Sequence, residues 1–213
     1  MENQLTERQV RVIGSMIEQQ LTTPANYPMS INAIRVACNQ KSNRDPVVDY
    51  SDDDIYDILQ DLQRLHYAEI DMMDYSRTTK YRQSFSKTLD LERGEQVILC
   101  ELFIRGPQTM GELRARCERM HRFKDLAEVE RCLNQLAEKK FALMLDRLPG
   151  TKENRWAHLF SGQPKITAPR PMAAAVHEAA GRPDSGLEAR VAFLEEQLRL
   201  VSERLDALEG GRS

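Results

Sequence analysis

Hydrophobic positions along the chain switch between two periods, and they do so twice. From Thr6 the pattern is helical. Val10, Ile13 and Ile17 fall three or four residues apart, and Thr6 with Gln9 can form a reciprocal cap, so a helix is predicted over about 6–20. Pro24 and Pro28 make 21–28 an irregular connection, with Tyr27 as a candidate packing residue under an interdomain surface. Ser30 caps a short helix carrying Ile31, Ile34, Ala37 and Cys38 on one side. A polar turn over 39–46 follows, and Ser51 opens a third helix whose buried stripe is Ile55, Ile58, Leu59, Leu62 and Leu65. The period then drops to two. Ala68, Ile70 and Met72 alternate with Glu69, Asp71 and Met73, and after a polar turn over 74–79, Tyr81, Gln83 and Phe85 form the return strand.

The second segment repeats the first. A helix over 91–105 carries Val97, Ile98 and Leu102 and stops at Gly106-Pro107. Thr109 and Glu112 form a capping box ahead of a helix with Leu113, Cys117 and Met120 inward. Asp125 caps a third helix with Val129, Cys132, Leu133 and Leu136 on one face. Phe141, Leu143 and Leu145 alternate, Pro149-Gly150 turns the chain, and Trp156, His158 and Phe160 return. Three helices and a two-stranded hairpin make the winged-helix variant of the helix-turn-helix. The predicted fold is mainly α with small β wings (α+β), as two tandem winged-helix domains over 1–88 and 89–160.

Residues 161–186 are rich in Pro, Gly, Ala and Ser and read as a flexible linker, with a root-mean-square span of roughly 28 Å. Beyond it, over 187–209, Leu187, Val191, Leu194, Leu198, Val201, Leu205 and Leu208 alternate in steps of four and three. That is a heptad repeat with Leu187, Leu194, Val201 and Leu208 at d and the others at a. In a parallel pair Arg190 faces Glu195 and Arg204 faces Glu209, both opposite charges. A coiled-coil homodimer is the expectation. The alternative is an amphipathic helix folded back onto a winged-helix domain.

Composition narrows the function classes. The longest apolar runs reach five residues, as from Phe141 to Leu145, against the ~20 that a membrane-spanning helix needs. The polar start, Met1-Glu-Asn-Gln, has no apolar core of a secretion signal. Cys38, Cys100, Cys117 and Cys132 lie far apart with no C-x-x-C, which suits free thiols and a cytoplasmic location. Thirty Lys and Arg against 33 Asp and Glu exclude a globally basic nucleic-acid coat.

Any nucleic-acid surface must therefore be local. In a winged helix the third helix usually enters the major groove and the wing reaches the backbone or minor groove. The third helix of the first domain carries Asp52, Asp53, Asp54, Asp57 and Asp61, which repel phosphate. Its flanks are basic: Lys41 and Arg44 precede it, and Arg77, Lys80 and Arg82 lie in or beside the wing. In the second domain Arg114, Arg116, Arg119, Arg122 and Lys124 are opposed within 114–124 only by Glu118. The inward Leu113, Cys117 and Met120 turn most of these cations outward, toward a phosphate backbone. Arg147, Lys152 and Arg155 add the same sign.

Other chemistry is weakly represented. Cys117 and His121 have the i, i+4 spacing of a metal pair, but Cys117 and Cys132 sit in apolar stripes where cysteine acts as a small hydrophobe. No metal or cofactor is expected. There is no Gly-rich phosphate loop, no H-E-x-x-H and no G-x-S-x-G, and 52–54 is a solvated capping run rather than a spaced carboxylate pair. A non-enzymatic protein is the expectation.

The runs Gly14 to Glu18, Leu21 to Pro24, Tyr27-Pro28 and Ala37 to Pro46 resemble the YceH family. Arg105 to Thr109, Gly111 to Arg114, Glu118 to His121 and Asp125 to Val129 extend the similarity over about 5–160. The resemblance implies a bacterial protein with tandem winged-helix domains from an uncharacterised group. It implies no ligand, activity or binding residues. Physically, 41–45 suits a turn in which Asn and Asp bond nearby backbone and tolerate left-handed conformations. The functional expectation is a dimeric DNA-binding protein, a transcriptional regulator for example. The alternative is a scaffold whose winged-helix domains bind a partner protein.

Overall fold

The computed structural model describes residues 4–72, 78–147 and 153–162, which all fall within one compact unit, Met1–Ala168. The chain runs α1 (Glu7–Thr22), a 3-10 turn (Pro24–Asn26), α2 (Ile31–Cys38), α3 (Asp52–Arg64), β1 (Ala68–Ile70), β2 (Tyr81–Gln83) and α4 (Phe85–Thr88). It continues with α5 (Arg93–Arg105), α6 (Met110–Cys117), α7 (Leu126–Glu138), β3 (Ala142–Met144) and β4 (Trp156–His158). The fold is mainly helical with two small antiparallel sheets.

The internal repeat extends to details. α2 and α6 both have 8 residues, and Ser30 and Thr109 cap them by accepting from the backbone three residues on. α3 and α7 both have 13 residues, capped by Ser51 and Asp125. Each third helix ends in a left-handed non-glycine residue, His66 at φ 58° and Lys140 at φ 59°. The next residue then donates backward, Tyr67 to Leu62 and Phe141 to Leu136, both at 2.8 Å, as in a Schellman cap. Each hairpin also gains a backbone bridge ahead of it, Met29 to Tyr81 and Gln108 to Trp156. Alternating patterns cannot reveal a one-residue bridge.

The structure corrects three local expectations. Leu65 is the C-cap residue of α3 and is 44% exposed, so it does not complete the buried stripe. Phe85 begins α4 instead of ending a strand and is fully buried. Tyr27 packs within the first half, its hydroxyl accepting from the Gln83 backbone at 2.6 Å.

α5 is the centre. Gly94 through Ile104 are all buried, so this helix carries no solvent face and its core extends well beyond Val97, Ile98 and Leu102. α1 crosses it at Gly14, where an added Cβ would lie 2.8 Å from both Ile104 Cγ2 and Phe103 Cβ. Phe85 touches Phe103 and Phe160 edge-on at 5.6 and 5.2 Å, so an aromatic cluster joins the two repeats in one core.

Candidate functional site

Beside the α1–α5 crossing lies a buried charged cluster. Glu18 on α1 accepts from Arg44 Nη2 at 2.5 Å and from Arg119 Nη2 at 3.2 Å. Arg44 Nε and Nη2 also donate to the Ala37 carbonyl, and Nη1 donates to that of Asn43. The Arg44 side chain has no exposure, so this guanidinium ties down the turn before α3 and is unavailable to phosphate. That is a correction to the sequence reading, which counted Arg44 as surface. Asn43 takes the left-handed conformation expected in this turn, φ 60°. Glu101 on α5 is fully buried, 2.8 Å from Arg105 Nε, and burial, ahead of its charged neighbours, pushes its carboxyl above the ordinary carboxylate value.

The remaining basic positions divide in two. Arg82 pairs with Asp71 at 2.9 Å. Arg116 is 19% exposed and donates to Gln108 Oε1 at 2.7 Å. Arg119 is 58% exposed but spends one donor on Glu18. Arg155 bonds Glu112 and the Pro107 carbonyl, both at 2.8 Å. These side chains hold the fold together and carry their own counter-charges. Lys41, Arg114, Arg122 and Lys124 stand exposed, and Lys80 is half-buried. Arg77 and Lys152 lie outside the described residues, as do the heptad positions from Leu187 to Leu208.

The third helix of the first half turns an acidic face outward. On α3, Arg35 pairs with Asp52 at 2.6 Å, Arg64 pairs with Asp61 at 2.8 Å, and Arg8 pairs with Asp54. The Ser51 backbone N–H, ahead of Arg8, holds the Asp54 carboxyl down at about 2. Asp53 and Asp57 are exposed with no ion pair among the described residues, and between them Tyr56 is 48% exposed. On α7 the outward residues include Glu130, Arg131, Asn134 and Glu138. The sequence signalled the acidic α3, but the exposed aromatic within it became visible only in the packed helix.

All four thiols are free and buried, and desolvation raises each above its ordinary value, Cys38 to about 11. They are protonated at neutral pH and poor nucleophiles or metal ligands. Among the described residues no group of three or more His, Cys, Asp or Glu is placed to hold a metal ion. No described helix is long and apolar enough to cross a membrane.

Helix, hairpin and charged surface thus define a mainly helical protein with two small antiparallel sheets. The family described as "Protein of unknown function, DUF480" matches residues 5–151, and the chain belongs to it. It is 42% identical over 215 residues to UPF0502 protein Ent638_1581 of Enterobacter sp. (strain 638), covering 98% of this chain and 97% of that protein. An uncharacterised bacterial family is consistent with the resemblance carried by the motif-rich region.

Proposed function

We propose that this is a non-enzymatic protein-interaction module built from two winged-helix domains, and that its α3 face docks a basic surface of a partner protein. One observation carries the reading: the helix that would enter a DNA groove presents Asp53, Tyr56 and Asp57 to solvent. Carboxylates there repel a phosphate backbone, whereas an exposed tyrosine ringed by charge is a common anchor of protein interfaces. The chain acts as a homodimer through the heptads from Leu187 to Leu208, which raises the effective concentration of each surface. The buried, unpaired thiols support a cytoplasmic location.

A photo-crosslinking amino acid at position 56, expressed in the native host, tests this. A protein partner captured there and lost on Asp53→Lys with Asp57→Lys is the expected result. Absence of any crosslink would count against the α3 face.

DNA binding is the second reading, supported by the exposed Lys41, Arg114, Arg122 and Lys124. Fluorescence anisotropy with random duplex from 25 to 200 mM salt separates the two. Steep salt-dependent binding, weakened by charge reversal of Arg114 and Arg122, would favour DNA. No binding at the lowest salt favours the protein-interaction reading.

A further inference from the structure

The two repeats place an arginine at the same position and differ in what meets it. Arg35 is the fifth residue of α2, and Arg114 is the fifth of α6. Asp52 is the first residue of α3, and its counterpart at the start of α7 is Leu126. In the first half Arg35 Nε donates to Asp52 Oδ1 at 2.6 Å, closing the gap between second and third helix. In the second half Arg114 has no carboxylate partner among the described residues and makes one bond, from Nη2 to the Lys124 carbonyl at 3.2 Å. Leu126, three residues before the buried Val129, extends the apolar stripe of α7 past the edge of the core and is 46% exposed.

The result is an open groove of about 410 Å3 between α6 and α7. Its apolar surface comes from Ala115, Phe123 and Leu126, and its rim carries Arg114 and Arg122. Glu118 is the acid in the lining, and it lies 3.8 Å from Arg122 in a pair whose members are 64% and 86% exposed, a geometry worth little. The volume falls within the range of small binding pockets. Gly111 leaves the α6 edge bare, with Thr109 Oγ1, 3.9 Å away, the nearest atom an added Cβ would meet.

We propose that this groove docks an acidic, amphipathic peptide segment of a partner protein. A carboxylate of the segment meets Arg114, taking the part that Asp52 plays for Arg35, and an apolar side chain covers Leu126. The proposal rests on the protein-interaction reading and adds a second surface of opposite charge preference to the α3 face. A phosphate backbone would satisfy the arginines but leave Leu126 wet, so the exposed leucine favours a peptide over nucleic acid.

The test uses the full chain and a short fluorescein-labelled peptide with a Leu-Phe pair between glutamates, followed by anisotropy. The same peptide with glutamines in place of glutamates should bind roughly tenfold more weakly. Arg114→Glu with Arg122→Glu should produce a similar loss. Gly111→Phe fills the groove from a site with open space, so it should abolish binding while circular dichroism stays unchanged. Equal binding of both peptides, no binding of either, or binding indifferent to Gly111→Phe overturns the proposal. So does duplex DNA bound through the same arginines by a chain that ignores the peptide. Peptide binding that tightens markedly on Leu194→Asp with Leu198→Asp would assign the groove to the chain's own C-terminal segment and likewise overturn it. Failure here leaves crosslinking at position 56 untouched, so the two readings fail separately.

Discussion

Arg119 reaches across the molecule to Glu18, Nη2 to Oε1 at 3.2 Å, while Arg44 holds the other oxygen of the same carboxylate at 2.5 Å. Glu18 is on α1 and Arg119 follows α6, so one buried acid ties the two repeats together. The arginines are unequal partners. Arg44 is wholly buried and Arg119 is 58% exposed.

Removing Arg44 leaves the buried Glu18 carboxylate with only the half-solvated Arg119 and breaks three bonds to the Ala37 and Asn43 carbonyls, whereas removing Arg119 exposes an already solvated edge. Arg44→Met should destabilise by about 3–5 kcal/mol, and Arg119→Ala by about 1 kcal/mol or less. Urea unfolding monitored by circular dichroism measures both. Equal losses would mean that Arg44 has no special structural role.

Gly14 should tolerate no side chain. Its added Cβ would meet Phe103 Cβ, an atom fixed to the α5 backbone that cannot swing away. Gly14→Ala gains about 1 kcal/mol of helix propensity but loses about 1–3 kcal/mol to overpacking. A net fall in Tm is expected, and a larger one for Gly14→Val. Either variant matching the parent would show that α1 and α5 are not held this close.

His158 should set the acid limb of the stability profile. Desolvation pushes its imidazole from 6.5 down to about 4, and its buried Nδ1 has no hydrogen-bond partner among the described residues. The depressed group binds protons in the unfolded chain first, so stability is lost as pH falls from 6.5 toward 4, by up to about 3 kcal/mol. Glu101 has the opposite sign. Its raised carboxyl makes stability decline as pH rises above 4.5. His158→Leu should therefore flatten the acid limb and uncover the slope from Glu101. An unchanged profile between pH 4 and 6.5 would remove His158 from the account.

The heptads predict a dimer. Leu194→Asp with Leu198→Asp puts charges at adjacent d and a positions, and sedimentation should then report the monomer mass. A parent chain that is itself monomeric would withdraw the coiled coil.

Most elements were legible because their signals are local. The capping boxes at Thr6 and Thr109, the N-caps at Ser30 and Asp125 and the spaced apolar stripes need only neighbouring residues, and helices start where they indicate. The repeat was legible for the same reason. The candidate site was legible only as charge. Sequence marked Arg44, Arg116 and Arg122 alike, but one is buried on Glu18, one holds Gln108 and one is solvated. Which cation is free depends on carboxylates distant in the chain, and no local pattern carries that.

By itself, then, the sequence determined the order of most helices and of both hairpins and the acidic α3, since each follows from periodicity and capping within a few residues. Tertiary structure alone decided that α5 has no outer face, that Gly14 must be bare, and that Asp52 closes one gap between helices while Leu126 leaves its counterpart open. Those outcomes depend on packing and charge pairing between residues far apart in the chain, where burial removes water and an ion needs a partner.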